Sequence, residues 1–121
     1  MGRAQAQAKD GKRFSRLTEV IVMLSNIKLA EKVLSTLYTQ GVRHFIVCAG
    51  ARNAPLVKSL SVLKNEPAVS VYSFFEERSA SFFGLGLIKK SRQPVAVLTT
   101  SGTAASELYS AVIEAQYSCL P

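Results

Sequence analysis

The run Phe74-Phe75-Glu76-Glu77-Arg78 puts a carboxylate where a β-rich segment gives way to a helical one, the place where an α/β domain presents its chemistry. Two more junctions of this kind occur. One is Ala49-Gly50-Ala51-Arg52-Asn53-Ala54-Pro55 and the other is Thr99-Thr100-Ser101-Gly102-Thr103. In an open parallel sheet ligands sit beyond the carboxyl ends of the strands, so three polar junctions in succession describe one rim of a site. Glu77 would bring a carboxylate to that rim, Arg52 a guanidinium, and the net charge of +7 suits a small anionic ligand. Plainer readings stand beside these. Acids at a helix start offset the dipole by about 0.3–1 kcal/mol, Arg52 can be a solvated loop cation, and Ser101-Gly102-Thr103 can be an ordinary helix beginning. Residue types alone leave both readings open.

Composition removes several other classes. A chain of 121 residues with 48% hydrophobic content is one domain at most, large enough for a core and too apolar for a disordered chain. The run Val20-Ile21-Val22-Met23-Leu24 is too short for a membrane span or a signal-peptide core, so a cytoplasmic protein is expected. Residues 1–22 carry five Lys/Arg against two Asp/Glu, a net +3, and the rest carries ten against six, a net +4. That charge does not cluster with aromatics, which argues against nucleic-acid binding. Cys48 and Cys119 have neither metal-ligand spacing nor disulfide density, and Cys48 reads as a buried free thiol. No Walker A sequence occurs, and Gly84-Leu85-Gly86 falls inside a helical segment, where it reads as a packing surface. His44, the single histidine, falls at the start of the first strand, away from the rim, and no metal site is expected.

The elements that must position the junctions follow from periodicity. Residues 1–24 read as a basic, disordered leader, with Met23 a plausible natural start. Ser25 or Asn26 can cap a helix that Leu29, Ala30, Val33, Leu34, Leu37 and Tyr38 continue and Gly41 stops. A strand is expected over Val42–Ala49, then a helix with Pro55 in its first turn through Leu63, and a second strand over Val69–Phe74. A helix from Glu77 to Lys90, a third strand over Val95–Thr100 and a fourth helix from Ala104 to Gln116 complete the series. The alternation predicts an α/β fold, a three-layer doubly wound parallel sheet, incomplete, with right-handed crossovers. Ser118-Cys119-Leu120-Pro121 resembles the turn before a fourth strand.

Taken together, the stretches Gly41–His44 with Cys48–Leu56, Phe75–Arg78, Gln93–Val97 with Thr100–Ala104, and Leu108–Tyr109 with Ala111–Ala115 resemble one family of thiamine-diphosphate enzymes. That family is the 2-succinyl-5-enolpyruvyl-6-hydroxy-3-cyclohexene-1-carboxylate synthases of menaquinone biosynthesis. The resemblance covers about Leu29 to Pro121, and the ordered set of three junctions carries it. It implies that 25–121 is the first part of an N-terminal, pyrimidine-binding domain. The implied reaction decarboxylates 2-oxoglutarate and adds the remaining unit to isochorismate. Glu77 would be the glutamate that hydrogen-bonds N1′ of the cofactor's aminopyrimidine, since a carboxyl in an apolar pocket can share a proton with a ring nitrogen at neutral pH. Glu76 would fill the family's more variable acidic position. Arg52 would serve carboxylate binding, where a guanidinium fork gives orientation as well as energy. Gly102 and Thr103 would line the cofactor pocket.

The sequence departs from that family in places. Ala49 stands where a proline is usual and Ala51 where a serine is usual; losing that hydroxyl forfeits a hydrogen bond of about 0.5–1.5 kcal/mol. Asn53 is the nearby polar residue that could compensate. The Gly-Asp-Gly and downstream Asn that hold the diphosphate and its Mg²⁺ or manganese are not in these 121 residues. The family also works as a homodimer or dimer of dimers with the cofactor between subunits, so this chain alone is expected to be inactive. Two alternatives stay open: a truncated, non-catalytic interaction module, and a carboligase of the acetolactate-synthase type, against which Gly50-x-Arg52-Asn53-Ala54-Pro55 argues.

Overall fold

Four of the five residues of strand β1 (His44–Cys48) are buried, with Phe45 and Ile46 at 0% exposure. A strand buried on both faces needs a helical layer on each side. The computed structural model supplies both layers; it describes the backbone of residues 2–121 and the side chains of 15, 16 and 18–121. Elements run α1 (Gly2–Thr39), β1, a 3₁₀ turn (Ala51–Asn53), α2 (Ala54–Leu63), β2 (Ser70–Phe74), α3 (Glu77–Ser91), β3 (Val95–Leu98), α4 (Thr103–Ser106) and α5 (Tyr109–Tyr117). Both flanking strands pair parallel to β1, giving the order β2-β1-β3, with His44 opposite Ser70 on one side and Val95 on the other.

Alternation along the strands sorts side chains into two cores. Phe45, Val47 and Leu98 pack with Leu34 of α1 and Leu60 of α2. Ile46 and Cys48 point the other way onto Ala80 of α3, with Tyr72, Phe74, Val95 and Val97 around them. Full burial of one such side chain contributes about 1.5–3 kcal/mol. Helix α3 approaches the sheet closely at Gly84, where a Cβ would stand 2.9 Å from Ile46 Cδ1 and 3.5 Å from Val95 Cγ1. Gly84 is thus the packing surface expected of it. Gly86, two residues on, faces open space.

The expected α/β alternation and the parallel three-layer sheet are present, with differences at the ends. Helix α1 runs through Ser25 and Asn26 without stopping, because Ser25 Oγ donates back to the Val22 carbonyl at 2.8 Å and stays within the helix. The expectation of a disordered leader over 1–24 falls for residue 1, and for the side chains of 2–14 and 17, outside the described residues. Val20 to Leu24 lie in α1 with every side chain more than half exposed. Gly41 ends the helix as expected: at φ +93° it lets its own N–H reach the Tyr38 carbonyl at 3.1 Å and that of Val42 reach Leu37 at 3.0 Å. Pro55 sits in the first turn of α2. The single fourth helix expected over Ala104–Gln116 is two, α4 and α5, broken at Glu107-Leu108. Glu107 is drawn aside by Arg78, whose Nη2 lies 2.7 Å from Glu107 Oε2, and Leu108 N–H takes the tighter bond to Ala105 at 3.3 Å. Lys89 and Glu114, 3.2 Å apart, tie α5 to α3 further along.

The two glycines of α3 should respond to substitution with opposite signs. Gly86→Ala has room and removes helix-interior glycine, and is expected to raise unfolding free energy by up to about 1 kcal/mol. Gly84→Val overpacks the buried Ile46 contact and is expected to lower it by about 1–3 kcal/mol. Urea unfolding midpoints of the two variants provide the check.

Candidate functional site

With β1 in the middle and all strands parallel, the three junctions leave the sheet at the same end. The first is fastened from within by Asn53, only 3% exposed. Its Nδ2 donates to the Cys48 carbonyl at 3.0 Å, and its Oδ1 accepts from Gly50 N–H at 2.9 Å. Both ends of the amide are therefore occupied in holding the loop. Ala51 is exposed on the 3₁₀ turn and has only a methyl group to offer. Arg52, also exposed, reaches across to the third junction, where its Nη1 donates to Ser101 Oγ at 2.8 Å.

At the second junction the two adjacent acids do different things. Glu76 is the N-cap of α3: it adopts an extended backbone, and its carboxylate accepts from Arg78 N–H at 2.9 Å and from Ser79 N–H at 2.6 Å. Hydrogen bonds from the Ser79 hydroxyl and backbone, then from the Arg78 backbone, hold its carboxyl below the usual value. The dipole-offsetting role therefore belongs chiefly to Glu76. Glu77 is released from it. Half-buried in the first turn, Glu77 takes one long bond, 3.4 Å, from Thr99 Oγ1 to its Oε1. Burial above all, and then the carboxylates of Glu77 and Glu76, push the Cys48 thiol up.

The third junction meets both of the others. Thr99 touches Glu77, Ser101 touches Arg52, and Thr100 packs so closely on the first loop that a Cβ on Gly50 would stand 2.6 Å from its Cγ2. These contacts stop β3 at Leu98, two residues before the expected end, since Thr99 and Thr100 turn to the neighbouring loops. Gly102, at φ +74°, turns the chain into α4 in a conformation that favours glycine, and Thr103 begins that helix. Both are exposed, and the Thr103 hydroxyl bonds to neither Glu77 nor Arg52. The sequence picked out this junction as a whole, but not the separate bonds of Thr99 and Ser101 or the capping role of Glu76. An Asp or Ser before Glu77 would have signalled a cap, whereas glutamate is a less common one.

Comparison with known proteins then fixes the family. Residues 27–121 match the family described as thiamine pyrophosphate enzyme, N-terminal TPP binding domain. The chain belongs to that family. It is 56% identical over 98 residues to a Bdellovibrio bacteriovorus protein, an alignment covering 81% of this chain and 18% of the relative. A Pasteurella multocida protein is 48% identical over 84 residues (69% of this chain, 15% of the relative), and one from Myxococcus xanthus 44% over 96 residues (79% and 16%). All three are named 2-succinyl-5-enolpyruvyl-6-hydroxy-3-cyclohexene-1-carboxylate synthase. The chain thus spans less than a fifth of the length of these relatives. Within this thiamine pyrophosphate-binding domain, the described residues hold no group of three or more His, Cys, Asp or Glu arranged for a metal ion. No described helix is long and apolar enough to cross a membrane.

The cap makes a pH-dependent prediction. A carboxyl depressed on folding contributes stability that is present above its unfolded value and is lost as pH falls through the folded one. Glu76→Ala should therefore melt below the parent at neutral pH, and the gap should close as pH falls below the usual carboxylate range. Thermal melts of both proteins across that range test it.

Proposed function

We propose that this chain is the front of the pyrimidine-binding domain of a 2-succinyl-5-enolpyruvyl-6-hydroxy-3-cyclohexene-1-carboxylate synthase, with 25–121 the partial domain and 1–24 a basic leader. The full-length enzyme joins decarboxylated 2-oxoglutarate to isochorismate in menaquinone biosynthesis, in the cytoplasm, as a homodimer or dimer of dimers. One observation carries the reading beyond the family: the half-buried acid Glu77 and the fork of Arg52 share one rim, each bonded to the same short segment after β3.

Thiamine diphosphate, when bound, supplies the electron sink for decarboxylation and carbon–carbon bond formation. The donor set here fits its pyrimidine edge. Thr99 bonds only Oε1 of Glu77, and at 3.4 Å, so Oε2 is open to a ring nitrogen. Thr99 orients the carboxyl, and Glu76 fixes the helix turn on which it rides. Glu77 then holds or shares a proton at that nitrogen. Gly102 and Thr103 extend the pocket wall. Arg52 binds a substrate carboxylate through its Nε and Nη2, since Nη1 is engaged by Ser101. Asn53 supports it by bracing the loop. Ala51 gives the substrate a surface without a hydroxyl. The diphosphate and its Mg²⁺ or manganese are held by a separate domain.

Two outcomes are expected. In the full-length enzyme Glu77→Gln should lower kcat by at least about 100-fold; near-normal turnover sinks the assignment. The 121-residue chain alone, given cofactor, Mg²⁺ and both substrates, should form no product, and measurable turnover would overturn the reading of an incomplete site.

A further inference from the structure

We propose that Ser101 is a positioning residue that presets the Arg52 guanidinium for a planar carboxylate of the substrate. The inference rests on the reading that Arg52 meets that carboxylate. Arg52 is exposed, and among the described residues its side chain makes one bond, the 2.8 Å contact from Nη1 to Ser101 Oγ, across 49 residues of sequence. An exposed arginine otherwise samples many rotamers, and a ligand must order them on binding. Anchoring Nη1 leaves Nε and Nη2, the edge that grips a carboxylate with two parallel bonds.

Ser101 is itself held. Its neighbour Thr100 interlocks with Gly50, and Thr99, one residue earlier, is bonded to Glu77. The hydroxyl thus stands at a fixed place relative to both the acid and the loop. In accepting from Arg52 it keeps its own proton free to donate. The rim therefore regains a hydroxyl beside the arginine, although residue 51 is alanine. Residue 101 belongs to the short segment after β3, so the acid, the arginine and the hydroxyl are tied together through that one segment.

The experiment is a double-mutant cycle in the full-length synthase, read by steady-state kinetics, calorimetric binding of isochorismate and thermal midpoints. Ser101→Ala should raise the KM and Kd for isochorismate about three- to tenfold. It should change kcat less than twofold and leave the KM for 2-oxoglutarate and the thermal midpoint in place. Ser101→Thr should restore binding, and Ser101→Ala should add nothing in an Arg52→Ala background. An unchanged isochorismate KM in Ser101→Ala overturns the inference. So does an equal rise in both backgrounds, or a rise for both substrates with a lower thermal midpoint. Arg52→Ala with parental isochorismate KM overturns the underlying reading of Arg52, and this inference with it. An impaired Arg52→Ala beside a normal Ser101→Ala removes the inference alone.

Discussion

Everything in this chain depends on β1 being buried on both faces while flanked by parallel strands on both edges. Burial on both faces demands helices above and below, and α1 with α2 on one side and α3 on the other provide them. Pairing on both edges brings the ends of β2 and β3 beside the end of β1. A five-residue strand, buried from Phe45 to Cys48, therefore decides where an acid, an arginine and a polar loop can meet, although none of the five takes part in the proposed chemistry.

The rim shows a division of labour between neighbours that share a chemical type. Glu76 and Glu77 are adjacent carboxylates, yet one spends both oxygens on backbone N–H groups and the other has a single long bond. A helix start attracts negative charge, and satisfying it with the first acid leaves the second free for a ligand. Arg52 and Asn53 divide in the same way. Asn53 is consumed by the loop backbone, and Arg52 extends from that braced loop.

Much of the framework was legible because period and punctuation agreed. Gly41, Pro55 and the β-rich run before Ala49 each have a local reason that the packing leaves unchanged. The errors came where a distant partner decided the outcome. The break between α4 and α5 depends on Arg78, 29 residues from Glu107, and the early end of β3 depends on what Thr99 and Thr100 touch. Helix α1 shows a third case, a serine that can cap or bond back into its own helix, and local sequence does not choose between them. At the site, residue identity pointed to Glu77, Arg52 and the polar segment after β3, while which hydroxyl holds which group was not legible because serine and threonine after a strand carry no partner signature.

The bonds across the rim also bear on the order in which the chain acquires its parts. The Arg52–Ser101 contact spans 49 residues and the Glu77–Thr99 contact spans 22, whereas the Asn53 brace closes within five. Loop-closure entropy favours short contacts early and distant ones late. The loop after β1 can therefore take shape by itself, while the acid and the arginine receive their partners only when β3 docks beside β1. A partly folded chain would carry every residue of the rim and still lack the rim's geometry.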